Sequence, residues 1–153
     1  MAATVAIAAI LGIRMFGAGV QYDSLADEVL AHLDHEPQAL RVTDVAVSDE
    51  RLRSVVPPSV AELDGDAGLI SYARSCVING RTVPHLVIQG ASGPVTVLLM
   101  PEEAVSEAIA LQGENVNGVI LPVGGGSIAI IGEAGERLEE IQERVTKSVT
   151  WTT

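Results

Sequence analysis

Cysteine is almost missing from this 153-residue chain: Cys76 is the single one. That excludes an intrachain disulfide framework and a multi-cysteine zinc ribbon. Aromatic side chains are as scarce, with one Trp, two Tyr and one Phe, or 3% of residues. Basic residues number nine against twenty acidic ones, a formal net charge of −11. With neither a basic footprint to displace counterions nor aromatic platforms for stacking bases, nucleic acid is not expected as a partner. No Gly-Lys-Ser/Thr phosphate loop, EF-hand spacing, His-Glu-x-x-His pair or Ser-His-Asp order is present. No cofactor is therefore expected, and no complete catalytic constellation can be assembled, so the chain reads as non-enzymatic. What the chain does have is apolar residues, 48% of the total. That is ample for a core and incompatible with global disorder, and the length suits one domain.

The apolar residues are concentrated at the start. Residues 2–20 carry a single charge, Arg14. A membrane-spanning helix needs about 20 mostly apolar residues, and an arginine toward one end can snorkel to the interface. Residues 1–20 are expected to be an apolar helix serving as a membrane anchor, with a cleaved signal segment or a buried core helix as the competing readings. No basic flank precedes the stretch, which suits an anchor truncated at its cytoplasmic side. No Lys or Arg lies between Arg14 and Arg41, while Asp23, Asp27, Glu28, Asp34 and Glu36 follow closely. Under the positive-inside rule such a flank is readily translocated. Residues 21–153 are then expected as one extracytoplasmic domain of a bacterial inner-membrane protein, facing the periplasm or exterior.

The rest of the chain reads as helices, then strands, then a helix. Ser24 caps a helix with its apolar stripe on Leu25, Val29, Leu30 and Leu33, stopped by Pro37. Ser48 caps a second, stopped by Pro57 and Pro58. Residues 59–68 read as a loop. Three strands follow: LISYARSCVI, a two-residue Asn79–Gly80 turn, TVPHLVIQ, then PVTVLLM. Residues 101–112 read as acidic and irregular, with room for a short helix. VILPV and SIAIIG form a second hairpin across the Gly124-Gly125-Gly126-Ser127 turn. That turn leads into a strand and not a helix N-terminus, so it does not read as a phosphate cradle. Residues 137–147 form the last helix, its acidic face supporting Glu140–Arg144 and Glu143–Lys147 pairs at i,i+4. Val149 and Trp151 lie in an extended tail. The class is α+β: an antiparallel sheet of about five strands packed by two N-terminal helices and one C-terminal helix. Pro84 and Pro94 are expected at an edge or a bulge.

Two constellations carry possible chemistry. Across a two-residue Asn79–Gly80 turn, Cys76 falls opposite Val83, so His85 shares its face as a diagonal neighbour at roughly 7–8 Å. A Cys–His pair can activate a thiolate or hold a metal; the plainer reading is a small buried thiol beside a hydrogen-bonded imidazole. His32 and His35 sit at i and i+3 on the first helix, a spacing at which two imidazoles can share an ion, although histidines also suit a helix C-terminus. All four residues meet only if this helix packs on the face that bears Cys76 and His85. The carboxylates from Glu133 to Glu143 read as a solvated helix face.

The segments LADEVLAHLDHEPQAL, YARSCVINGRTVPHLVIQGASGPVTVLLMPEE and GVILPVGGGSIAIIGE resemble, as a set, an uncharacterised bacterial family of single-pass envelope proteins with anti-sigma-factor-like architecture. The resemblance spans about residues 20–151. It implies one transmembrane helix and an extracytoplasmic domain, with this sequence departing from the family by lacking the short cytoplasmic part before the anchor, and it assigns no catalytic residue. The expected function is a membrane-tethered, non-catalytic sensing or interaction domain with a protein partner and membrane contact through residues 2–20. A thiol- or metal-dependent redox sensor or enzyme using Cys76 and His85 is the alternative. A third reading is a partner module that recruits another strand at a sheet edge.

Overall fold

The computed structural model describes residues 20–152. The expected anchor helix, apart from its last residue, lies outside them. Among the described residues, no helix is long and apolar enough to cross a membrane.

Among the described residues, three α-helices and eight strands make an α+β fold: α1 (Leu25–Leu33), α2 (Asp49–Val55), β1 (Ala61–Leu63), β2 (Ile70–Ile78), β3 (Arg81–Gln89), β4 (Pro94–Met100), β5 (Ile109–Gln112), β6 (Val116–Val123), β7 (Gly126–Glu133), α3 (Leu138–Ser148) and β8 (Val149–Trp151). Six strands form an antiparallel sheet in the order β2-β3-β4-β7-β6-β5, and β1 pairs with β8 in a separate two-stranded sheet. The sheet is two three-stranded meanders joined through their last strands, β4 and β7.

Local chemistry explains the turns and ends. Asn79 and Gly80 both have positive φ (49° and 72°), the signature of a tight I′ hairpin whose twist matches the flanking strands. Ile78 consequently faces Arg81, Cys76 faces Val83 and Arg74 faces His85. The Ser24 hydroxyl accepts the Asp27 N–H at the start of α1, and Ser48 does the same for Arg51 in α2. Every residue of β4 is buried, because this central strand is covered on both faces.

Alternation along the strands divides the core in two. One face of the six-stranded sheet, with Leu86, Val97, Leu99 and Ile130, packs under α2, α3 and the β1–β8 pair. The other, with Cys76, Leu98, Met100, Leu111 and Ala129, packs under α1 through Val29.

The expectation of one sheet of about five strands is corrected, among the described residues, to a sheet of six and a separate pair. Residues 59–68 hold β1, too short to stand out by alternation and defined only by its partner β8 in the C-terminal tail. Residues 101–112 hold β5, paired with β6, where an irregular or helical stretch was expected. Pro84 lies in the interior strand β3 and at neither an edge nor a bulge. It is tolerated because the ladder to β4 begins one residue later, at His85. The bulge in β2 falls instead between Ile70 and Tyr72. On α3, Lys147 does bond Glu143, but no Glu140–Arg144 pair forms among the described residues; the Arg144 guanidinium lies against Gly68.

Candidate metal centre

The β2 bulge resets the pleat so that Tyr72, Arg74 and Cys76 share the face turned toward α1, and His85 joins them from β3. From above, α1 brings down His32. The helix cannot continue through Glu36, because that residue precedes Pro37 and its backbone leaves the helical region (φ −132°, ψ 59°). Glu36 turns toward β2, where its Oε2 accepts the Tyr72 hydroxyl at 2.7 Å and its Oε1 lies 3.5 Å from the Arg74 guanidinium.

One ligand atom each from His32, Cys76 and His85 lies within 4.8 Å of the others. His32 Nε2 is 3.3 Å from His85 Nδ1, and Glu36 Oε2 is 3.3 Å from the same nitrogen. The His85 ring also meets the His32 and Tyr72 rings edge-on, at centroid separations of 5.2 and 5.3 Å. His85 is 1% exposed, and its Nε2 is buried without a hydrogen-bond partner. Buried ring nitrogens are normally satisfied, so the Nε2 of His85 is an exception, and the contacts of this ring run through Nδ1.

Burial and neighbouring charge set the protonation of the cluster. Burial, with the Glu36 carboxylate second, pushes the Cys76 thiol up to about 12. Burial and then His32 bring His85 down to about 4, against the pull of Glu36. His32 is also lowered, chiefly by burial. Burial alone would raise Glu36; the Tyr72 hydrogen bond, His85, Arg74 and His32 together hold it below the ordinary carboxylate range. Near neutral pH the cluster is a protonated thiol, two neutral imidazoles and one carboxylate. Neutral imidazoles are ready ligands, and a metal can displace the thiol proton.

Cys76 and His85, paired by the sequence argument, are thus neighbours, and His32 joins them. His35 does not: it is exposed and lines a cleft of about 570 Å³ with Glu36, Arg51, Tyr72 and Arg74. The i,i+3 reading placed both histidines on one ion; Glu36, at i+4 from His32, takes the inward place instead. Glu36 and Tyr72 were missed as site residues. The i,i+4 spacing was a signal for the first, and the 72-74-76 alternation for the second.

No curated protein and no solved structure matches the chain. One family does, described as "Protein of unknown function (DUF3379)", over residues 1–149. With the match running from the apolar start through α3, the chain belongs to the DUF3379 family.

Proposed function

We propose that this domain binds one soft or borderline transition-metal ion through His32, Cys76 and His85. In this reading it serves as the metal-responsive, non-catalytic sensing module of a membrane-tethered envelope protein. The observation that carries the metal reading is the convergence of the three ligand atoms, from α1, β2 and β3, within 4.8 Å. Imidazole and thiolate together suit zinc or copper and not magnesium or calcium. The thiol-redox alternative needs an accessible thiolate. Cys76 is 8% exposed, and its thiol is pushed up to about 12, which favours the metal version.

The tether rests on the apolar stretch at residues 2–20 and the acidic flank after it. The resemblance to anti-sigma-type envelope proteins supports a protein partner and a domain facing the periplasm or exterior.

The metal reading is tested by titrating the purified full chain with Co²⁺ after chelation. One ion per chain is expected, with a thiolate-to-cobalt absorption band absent from Cys76→Ser. Saturation without that band, or no binding of either cobalt or zinc, overturns it. The tether is tested by fractionating cells that produce the full chain. Uncleaved protein found wholly in the soluble fraction overturns that part alone.

A further inference from the structure

Resting on that metal reading, we propose that Glu36 is the fourth ligand of a closed zinc site that clasps α1 to the β2–β3 hairpin. Each side contributes two ligands: His32 and Glu36 from α1 and its exit, Cys76 and His85 from the hairpin.

Three observations converge on this. The first is a distance. Tetrahedral zinc holds nitrogen and oxygen at about 2.0–2.1 Å, which places neighbouring ligand atoms about 3.3–3.4 Å apart. His85 Nδ1 lies 3.3 Å from His32 Nε2 and 3.3 Å from Glu36 Oε2, so two of the tetrahedron's six edges are in place, with Glu36 beside rather than within the 4.8 Å cluster of the other three ligand atoms. The second is proton arithmetic. A single proton on His85 Nδ1 can be donated to only one of the two atoms that converge on it. An ion among them satisfies all three lone pairs at once.

The third is charge. Buried charge is costly unless neutralised. Zinc carries +2, which one thiolate and one carboxylate cancel; binding releases the single proton of the Cys76 thiol to solvent. Without Glu36 the buried site would hold a net positive charge beside the Arg74 guanidinium, which is 3.5 Å from Glu36 Oε1. Copper(I) would be balanced by the thiolate alone, so a ligating Glu36 selects the divalent ion. The Tyr72 hydroxyl, 2.7 Å from Glu36 Oε2, orients the carboxylate from outside.

The clasp matters to α1, which is otherwise held by Val29, by the partly buried Leu25, Leu30 and Leu33 and by the Asn79 N–H that Glu28 accepts at 2.7 Å. The helix is nine residues long, and Val29 is its one fully buried residue. A helix this short is not stable alone. It is also the first element after the apolar N-terminal stretch. Zinc occupancy therefore decides how firmly α1 is fastened to the sheet.

The experiment is hydrogen exchange on the full chain with zinc and after chelation, for wild type and Glu36→Gln. Zinc is expected to slow exchange of amides 28–36 by about tenfold or more, since any opening of α1 breaks the site. Glu36→Gln should weaken zinc binding by more than about 100-fold, beyond the 10–100-fold cost of an outer-sphere partner. It should also shift the Co²⁺ spectrum away from the tetrahedral pattern. Zinc binding with unchanged α1 exchange, or with Glu36→Gln inside the outer-sphere range and the cobalt spectrum intact, overturns the clasp but leaves the three-ligand site standing. Absence of any binding removes the site itself. The cobalt spectrum and the thiolate band distinguish a misfolded variant from one that has lost a ligand.

Discussion

Under α3, the six-stranded sheet presents Leu86, Val97, Leu99 and Ile130, which share one aliphatic cluster with Leu138, Ile141 and Val145. Under α1, the same sheet presents Cys76 and His85 beside Leu98 and Met100, and the helix answers with Val29 and His32. The first face is what burial alone produces: interchangeable aliphatic groups, stabilising in proportion to the area removed from water. The second gives up some of that area to place polar atoms where each needs a partner. Of the two faces, the one beneath α1 is where potential ligand atoms converge; buried polar atoms need partners in a way that aliphatic groups do not.

The largest expected effect breaks the apolar face. Leu99→Ala should cost about 2–5 kcal/mol in urea unfolding, and the loss should be the same with zinc as with chelator. A zinc-dependent loss would mean the two faces are not separate.

Acid should act on the other face. His85 is brought down to about 4 by burial and then His32, so between pH 6.5 and about 4 the unfolded chain binds a proton that the folded chain refuses. Stability of the chelated protein is thus fully present above pH 6.5 and is lost as pH falls through that window, by as much as a few kcal/mol. His32, lowered in the same direction, adds to the loss. Glu36, also lowered, extends it to lower pH as its carboxylate protonates. His85→Asn should flatten the slope, and a slope unchanged in that variant would place the acid sensitivity elsewhere.

A smaller effect is expected beside α3. The Glu136 carboxylate accepts the N–H groups of Ala91, Ser92 and Gly93 at 3.1, 2.7 and 2.9 Å, closing the β3–β4 turn. Glu136→Ala should cost about 1–3 kcal/mol and speed amide exchange at residues 91–93, leaving zinc affinity as it was. A change in zinc affinity would couple the two faces through β3 and β4. Smallest of all, Lys147→Ala removes an exposed partner of Glu143 on α3 and should leave the urea midpoint within error at physiological salt. A clear shift would show that this pair does more than decorate the surface.

The parts that sequence made legible share a short range. Ser24 and Ser48 announce their helices because a cap acts within three residues, and Asn79–Gly80 fixes the β2–β3 register because a two-residue turn leaves no freedom. From that register alone Cys76 and His85 fall on one face. The strands β1 and β5 were illegible because three or four residues show no convincing alternation, and each is held by a partner strand rather than by its own pattern. Glu36 was hidden for a related reason. At the end of an acidic helix it reads as one more solvated carboxylate, and nothing local says that Tyr72 and Arg74 wait across the gap.

The sequence by itself determined the class, the sites of the turns and the pairing of one thiol with one imidazole, since each follows from neighbours a few bonds away. Which side of the sheet α1 covers, and hence that His32 and Glu36 reach His85 while His35 faces solvent, was decided only by tertiary packing. The choice depends on where Val29 and its flanking leucines find apolar surface, and that surface is assembled from strands as distant in the chain as β2 and β5.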